Sequence, residues 1–232
     1  MIIYDILYGT NAIINISKIN PEIIQQIYIF KKNYKINNLI KNHKIKYITN
    51  INNKKFDYII KTFPVISKIK KTKEQNIGEL IKNKKNQIIL ILDRIQDPHN
   101  LASCIRTAEA FNVNIIIISK KHSAKISPLI NKISHGCGLI TSIIKNINIK
   151  NAIKIIKSYD IPIIGMSALG KNNITYDKIK KPIAIIMGSE KDGIKKTIQQ
   201  NCNTLYKIPM TGKCHNINVS VATGIVLSHI QN

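Results

Sequence analysis

The stretch QIILILDRIQDPHNLASCIRTAEAF, Gln87–Phe111, decides the fold. An uninterrupted apolar run comes first, and a polar segment ending in Asp97-Pro98-His99-Asn100 follows it. Apolar residues then recur at helical spacing, behind an asparagine, which is a residue type that caps helices. The pattern predicts a buried strand, a loop with exposed amides and a helix that begins near Asn100.

The same unit recurs through the rest of the chain. Further apolar strands are predicted at NIIIIS (114–119), IPIIGMSA (161–168), PIAIIMG (182–188) and LYKIPM (205–210), separated by lysine-rich helical segments. Fully apolar strands that alternate with helices indicate a parallel sheet covered on both faces, hence an α/β fold. Ligands bind such sheets beyond the carboxyl ends of the strands, so the informative loops follow Asp93, Ala168, Met187 and Met210.

The first third predicts a separate, small α/β unit. Helices are expected at TNAIINIS (10–17) and KINNLIKNHK (35–44), and strands at QIYIFKK (26–32) and IKYITN (45–50). The lysine-rich stretch Lys68–Glu74 has little to bury and is interpreted as linker, with a short helix after it. The expected domains are 1–70 for the first unit and 87–232 for the second, with 71–86 as the linker.

Charge favours a polyanionic partner. The chain has 232 residues and a formal net charge of +24, from 36 Lys and Arg against 12 Asp and Glu. Ile, Lys and Asn dominate everywhere, and their AT-rich codons offer a compositional explanation of the same charge. Charge alone therefore permits nucleic-acid binding without requiring it.

Other compositional features exclude several classes. The cysteines at 104, 137, 202 and 214 and the six histidines are scattered, so we expect reduced thiols and no metal. No apolar run approaches the length of a membrane span, and the N-terminus lacks a signal-peptide pattern. We therefore expect a cytoplasmic protein with no membrane partner.

Three loops contain candidate functional residues. The chain has only two arginines, Arg94 and Arg106, and Arg106 stands between the small residues Ser103 and Ala110 on its helix. A guanidinium recognises a phosphate by a planar fork that lysine lacks. A solvated helix arginine is the alternative interpretation.

The other two loops follow later strands. In IAIIMGSEKDGIKK (183–196), Gly188 permits close approach of a ligand and Glu190 precedes a helix, although an acidic Gly-Ser turn is the plain alternative. No Walker loop, G-x-G-x-x-G or Gly-x-Ser-x-Gly is present. After LYKIPM, the backbone near Ile208 and Met210 can hold a planar heterocycle, or the polar residues merely cap the last helix.

Together the segments DPHNLASCIRTAEAF, IIMGSEKDGI and IPMTGKCHNINVSVATG resemble the three motifs of the SpoU (TrmH-like) family of RNA ribose 2′-O-methyltransferases, in the SPOUT superfamily. YGTNAIINIS also resembles the start of the bacterial 23S rRNA guanosine members. The resemblance implies a C-terminal parallel-sheet domain with a trefoil knot, a homodimer and a small N-terminal RNA-binding domain. It implies S-adenosyl-L-methionine as cofactor.

The resemblance also implies residue roles. The cofactor would contact Ser167, Gly188, Ile208, Met210, Ile217 and Asn218, and the catalytic residues would be Arg106, Asn100, Glu190 and Asn216. Arg106 would bind the target phosphate and stabilise the developing alkoxide. The chain departs from the family pattern at Asn216, where a serine is usual, at Thr62–Pro64, where H-Q-G is common, and at Leu139, which replaces a glutamate.

The expected function is methylation of a ribose 2′-hydroxyl, at a guanosine of 23S ribosomal RNA. A transfer-RNA ribose methyltransferase is one alternative. A catalytically silent RNA-binding protein of ribosome assembly is another.

Overall fold

The computed structural model describes residues 4–31, 33–43, 45–49, 63–70, 75–82, 86–174, 179–213 and 216–231. The strands are β1 Tyr4–Tyr8, β2 Ile24–Ile29, β3 Tyr47–Thr49, β4 Val65–Lys70, β5 Ile88–Leu92, β6 Ile115–Ser119, β7 Ser142–Ile147, β8 Ile163–Met166, β9 Asn172–Asn173, β10 Ile183–Met187 and β11 Thr204–Lys207. The α-helices are α1 Thr10–Ile19, α2 Tyr34–His43, α3 Ile77–Lys82, α4 Pro98–Ala110, α5 Pro128–Ile133, α6 Ile149–Lys157, α7 Lys196–Gln199 and α8 Val219–Gln231. The chain folds as two compact units, Met1–Lys73 with Ile126–Ile140, and Glu74–Lys125 with Thr141–Asn232.

The first unit is built on a four-stranded sheet with the order β1-β4-β2-β3. Strand β4 runs antiparallel to β1 and β2, and β3 runs parallel to β2. The core lies between this sheet and the two helices α1 and α2, and Leu139 and Ile140 pack against its edge. The helices and strands expected in this part of the chain are present.

The prediction of a linker beginning at Lys68 was wrong, because Lys68–Lys70 belong to β4. Within VISKIK the lysines alternate with isoleucine, so Ile69 is fully buried while Lys70 is exposed. Because buried and exposed side chains alternate along a strand, a lysine-rich segment can still form part of a sheet. Residues 71–74 and 83–85 of the predicted linker and Thr62 lie outside the described residues.

The second unit contains the expected parallel sheet, with the strand order β7-β6-β5-β10-β8-β11-β9. Strands β5, β6 and β10 are buried at every position, as expected for strands covered on both faces. Helix α3 buries Ile77 and Ile81 in the core of this unit. The carboxyl ends of the strands share one edge, so the loops that follow them lie along that edge.

Two boundaries differ from the prediction. Helix α4 begins at Pro98, not near Asn100, because the carboxylate of Asp97 caps it by accepting a hydrogen bond from the backbone N–H of His99 at 3.0 Å. Strand β11 ends at Lys207, so Ile208–Met210 belong to the following loop. The first difference shortens the loop after β5, and the second lengthens the loop after β11 at the carboxyl edge of the sheet.

Candidate active site

The loop between β5 and α4 places Asn100 in the first turn of the helix. Asp97 caps the helix and Pro98 occupies its first position, where the missing N–H costs no hydrogen bond. The helix buries Leu101, Cys104 and Ile105. The buried face of the helix is therefore fixed by the core, and this fixes the position of Asn100 on the exposed face.

The loop after β10 is a tight turn closed on itself. Backbone hydrogen bonds join Ser189 and Gly193 in both directions, at 2.9 and 3.2 Å. A Cβ atom on Gly188 would lie 2.1 Å from the carbonyl carbon of Gly193. The close approach expected at Gly188 is thus made by this loop's own backbone, and only glycine fits there. Glu190 is held at the tip of a rigid turn.

The side chain of Arg94 holds that turn in place by hydrogen bonds. Its guanidinium donates hydrogen bonds to the carbonyl of Gly193 at 2.8 Å and to the carboxylates of Asp93 and Asp192, both at 3.2 Å. The side chain is buried, and its backbone has φ of +60°. One of the chain's two arginines therefore has a structural role, joining the loop after β5 to the loop after β10.

A chain of hydrogen bonds joins all three motif loops. The amide nitrogen of Asn100 donates to Glu190 Oε1, and the amide nitrogen of Asn218 donates to Asn100 Oδ1, both at 2.8 Å. Asn100 thus stands between the loop after β10 and the start of α8. Three of the predicted site residues, far apart in the sequence, form one polar cluster at the surface.

Asn218 also fixes the start of α8. Its Oδ1 accepts hydrogen bonds from the backbone N–H of Ser220 at 2.8 Å and from the hydroxyl of Ser220 at 2.6 Å. Its carbonyl accepts from the backbone N–H of Ala222. Asn218 therefore caps the helix with its oxygen and orients Asn100 with its nitrogen.

Arg106 is not part of this cluster. Its side chain is exposed on α4 and forms no hydrogen bond or ion pair with any other residue that the structure describes. An exposed guanidinium without a partner is available to a ligand outside the chain. Its position contrasts with that of Arg94.

Apart from Gly188, which follows β10, the predicted cofactor residues lie in the segments after β8 and β11, and the loop after β8 runs beside the end of β11. The backbone N–H of Ser167 donates to the carbonyl of Tyr206 at 2.8 Å, and a Cβ atom on Gly170 would lie 2.5 Å from the Tyr206 carbonyl carbon. Ile208 is half-buried, and Met210 and Ile217 are 37% and 40% exposed. Asn216 is exposed, with no hydrogen bond to a described residue.

Helices α4 and α8 pack closely through small residues. Cys104 Sγ lies 3.6 Å from the Thr223 hydroxyl, and a Cβ atom on Gly224 would lie 3.6 Å from the Thr107 methyl group. The pKa of the Cys104 thiol is raised to about 11, chiefly by burial; the hydrogen bond with Thr223 lowers this pKa, and the negative charge of Glu190 raises it. Cys104 is thus a protonated packing residue and not a nucleophile.

Sequence reasoning missed three members of this region: the Arg94 clamp, its partner Asp192 and the Ser220 that completes the α8 cap. A serine two residues after an asparagine was the available signal for the cap. Asp192 lies 98 residues from Arg94, so no local pattern could pair them. Cys214 and His215, which precede Asn216 in the sequence, lie outside the described residues.

Two features are absent from the described residues. None of their helices has the length and apolar character needed to cross a membrane. They contain no group of three or more His, Cys, Asp or Glu side chains placed to hold a metal ion.

Comparison with known proteins gives consistent results in sequence. Residues 87–228 match the model of the SpoU rRNA Methylase family. The 23S rRNA (guanosine-2′-O-)-methyltransferase RlmB of Haemophilus influenzae is 32% identical over 170 residues, covering 72% of this chain and 69% of the relative. An uncharacterized tRNA/rRNA methyltransferase of Borreliella burgdorferi is 35% identical over 216 residues, covering 86% of this chain and 93% of the relative.

Solved structures match the fold. The SpoU methyltransferase AviRb from Streptomyces viridochromogenes, in complex with the cofactor AdoMet, aligns with a TM-score of 0.82 at 16% identity, covering 98% of this chain and 89% of that one. The TrmH/SpoU tRNA modifying enzyme of A. aeolicus aligns with a TM-score of 0.57 at 25% identity, covering 66% of this chain and 78% of that one. The α/β architecture predicted from the sequence is confirmed.

Proposed function

The chain belongs to the SpoU rRNA methylase family, and on this premise we propose that it methylates a ribose 2′-hydroxyl of 23S ribosomal RNA, at a guanosine, with S-adenosylmethionine as the methyl donor. The observation that carries the proposal is the hydrogen-bonded series Glu190–Asn100–Asn218. It joins the three family motifs into one site at the carboxyl edge of the sheet. The enzyme class agrees with the Haemophilus influenzae relative, and the cofactor agrees with the AdoMet complex described above.

The residues present fit the cofactor. Met210 and Ile217 expose apolar side chains in the segment after β11, and a purine ring can cover such a surface. We assign Ser167, Gly188, Ile208, Met210, Ile217 and Asn218 to this pocket. When bound, S-adenosylmethionine supplies an already activated methyl group.

Arg106 is assigned to the substrate. Its unpaired guanidinium binds the phosphate next to the target ribose and stabilises the negative charge that develops on the 2′-oxygen as the hydroxyl proton passes to solvent water. Free arginine is effectively never deprotonated, so an electrostatic role is preferred to that of a base. Glu190 and Asn100 order the site around the reacting groups, and Asn216 contributes an amide where the family has a serine.

The assembly proposed for this function is a homodimer. Val221 and Ile225 stand at four-residue spacing on α8, and they are 53% and 37% exposed. A second copy of the chain would cover this apolar face and bring its own residues towards Arg106. The proposal is supported by the absence of any partner for Arg106 among the described residues.

The remaining architecture follows the same reasoning. We propose that residues 1–70 form the RNA-binding domain and 87–232 the methyltransferase domain, in the cytoplasm, and that the linker, 71–86, includes helix α3, which packs in the core of the second unit. A trefoil knot in the last domain is proposed from the family to which the chain belongs. The chain's net charge of +24 suits an RNA partner.

A transfer-RNA substrate is the second candidate, because the Borreliella burgdorferi relative is named as a tRNA/rRNA methyltransferase. The test incubates purified protein with methyl-labelled S-adenosylmethionine and either ribosomal or transfer RNA. Nucleoside mass spectrometry should find 2′-O-methylguanosine in ribosomal RNA. Label in transfer RNA alone would favour the second candidate. No label in either RNA would favour a silent assembly protein.

A further inference from the structure

We propose that the second unit has a phosphate-binding cleft, separate from the candidate active site, that binds the backbone of the RNA substrate; this inference rests on the proposed function. The cleft has a volume of about 490 Å³. Its lining includes Arg94, Lys120, Lys121, His122, Lys150 and Lys195. The proposed function assigns a role to none of the four lysines.

The cleft lies where parallel sheets bind ligands. Its walls are formed by residues that follow β5, β6 and β7, with Ser119 at the end of β6 and Ile147 at the end of β7, and by Lys195, Thr197 and Ile198 from the segment after β10. The candidate active site takes its residues from the loops after β5, β10, β8 and β11. The cleft alone uses the ends of β6 and β7, and the two sites share the segments after β5 and β10.

The positive charge of this cleft is not neutralised within the unit. Asp93 is the only acidic residue among the described residues that line it, and Arg94 already pairs with that carboxylate. Lys120, Lys150 and Lys195 are exposed and form no ion pair with a described residue. Like charges held around one cavity repel each other, and a bound polyanion removes that repulsion.

Helix α6 adds to the positive electrostatic potential of the cleft. Asn148 caps the helix by accepting a hydrogen bond from the backbone N–H of Lys150 at 3.0 Å, and the first turn contains no acidic residue. A lysine at the positive end of a nine-residue helix opposes the helix dipole, whereas an anion there is favoured. The lysine at this position is therefore unfavourable for the helix alone and favourable for an anion site.

The shape and chemistry of the lining indicate backbone phosphate and not a base. Among the described residues that line the cleft, His122 has the only side-chain ring, and no phenylalanine or tyrosine is present, so the cleft offers little surface for base stacking. Ammonium groups bind phosphate as point charges. A volume of about 490 Å³ exceeds what a single phosphate needs and accommodates a segment of sugar–phosphate chain.

The test compares two triple variants with the same change in charge. The cleft variant carries Lys120→Gln, Lys150→Gln and Lys195→Gln, and the control carries Lys154→Gln, Lys171→Gln and Lys180→Gln, three exposed lysines of the same unit that do not line the cleft. Binding of a ribosomal RNA fragment is followed by fluorescence anisotropy over a salt series. We expect the cleft variant to lose about tenfold more affinity than the control and its salt slope to fall by roughly two, since each phosphate contact contributes about 0.7–0.9.

Equal losses in the two triple variants would mean that only net charge matters and would overturn the proposal. Cofactor affinity should stay unchanged in both, and Lys150→Gln alone should leave the melting temperature unchanged or raise it. Should the triple variant melt early, Lys120→Gln and Lys195→Gln tested singly should still bind RNA more weakly than Lys154→Gln does. If these single variants bind RNA as tightly as Lys154→Gln does, the proposal of an RNA-binding cleft is overturned as well.

Inorganic pyrophosphate separates the two sources of phosphate. We expect it to bind the wild-type protein, to bind the cleft variant more weakly and to compete with RNA. Pyrophosphate that binds in the cleft without displacing RNA would identify a small free anion as the ligand and overturn the RNA assignment. Methylation by the wild-type protein is scored separately, so a failure of the proposed function is distinguishable from a failure of the cleft.

Discussion

The two arginines of the chain have opposite environments. Arg94 is buried and donates to Asp93, Asp192 and the Gly193 carbonyl, whereas Arg106 is exposed and has no partner among the described residues. In a chain with 36 basic residues, arginine is retained at only these two positions. The forked guanidinium explains both, since one fork joins two loops and the other remains free for a phosphate.

This contrast predicts different effects on stability. Arg94→Lys loses the fork that joins the Gly193 carbonyl to the carboxylates of Asp93 and Asp192, so the free energy of unfolding should fall by about 2 kcal/mol. Arg106→Lys should change it by less than about 0.5 kcal/mol, as is usual for a surface position. Urea unfolding of the two variants measures both values. Equal destabilisation would contradict the division of roles.

Asn100 can be tested with an isosteric change. Asn100→Asp replaces the N–H that donates to Glu190 with an oxygen, so two carboxylates would face each other at the site. We expect methylation to fall by about 10- to 100-fold, the equivalent of one charge-assisted hydrogen bond. Repulsion raises the pKa of one carboxyl group, so lowering the pH from about 8 to about 6 should protonate it and restore part of the activity.

Asn100→Ala is the matched control, because it removes the donor without adding a charge. Its pH profile should follow that of the wild-type enzyme. An Asn100→Asp enzyme whose activity fell with pH in parallel with the wild type would show that the bond to Glu190 does not order the site.

At the scale of elements, the turn after β10 and the packing of α8 depend on glycine in different ways. A Cβ atom on Gly188 meets backbone at 2.1 Å, which a turn closed by two hydrogen bonds cannot relieve. A Cβ atom on Gly224 meets only the Thr107 methyl group, at 3.6 Å, an ordinary contact. Both substitutions add one methyl group, so they form a matched pair.

Gly188→Ala should therefore unfold the turn, lower the melting temperature and abolish cofactor binding. Gly224→Ala should be neutral or stabilising by up to about 1 kcal/mol, because alanine is the better helix former. Thermal melting and calorimetry with S-adenosylmethionine measure both. A Gly188→Ala protein with the melting temperature of the wild type would show that the turn is not rigid.

The strands of the second unit were predictable because their apolar runs are uninterrupted, and the sheet is indeed parallel and covered on both faces. Strand β4 was missed because its lysines obscured the alternation that buries Ile69. The end of β11 was placed too late because Ile208 and Met210 look like strand residues, and only pairing with β8 and β9 ends the strand at Lys207.

The resemblance to the family motifs singled out Asn100, Glu190 and Asn218, and the structure brings these three together, whereas Arg106 and Asn216 form no hydrogen bond with them. The connections among the three could not be predicted. That Asn100 is the middle member, and that Arg94 holds the turn carrying Glu190, depends on contacts across about 90 or more residues. Such contacts follow from the strand order, which local patterns do not determine.

For the whole molecule, the apolar face on α8 predicts self-association. Val221→Asp places a charge on the exposed stripe without altering the core, so the single chain should stay folded. The wild-type protein should sediment as a dimer at micromolar concentration, and the variant should shift towards monomer and lose methylation together with it. A fully active monomer would contradict the idea that a second copy completes the site.

If the three motif loops form the site that methylates ribosomal RNA, and Arg106 binds the RNA there, then methylation of that RNA in cells depends on the Arg106 side chain. The most direct test is mass spectrometry of 23S ribosomal RNA from cells that lack this protein, complemented with the wild-type chain or with Arg106→Lys. One 2′-O-methylated guanosine should be absent without the protein, restored by the wild type and not restored by Arg106→Lys, although the variant folds and binds cofactor. Full restoration by Arg106→Lys, or an RNA methylation pattern that does not depend on the protein, would contradict this prediction.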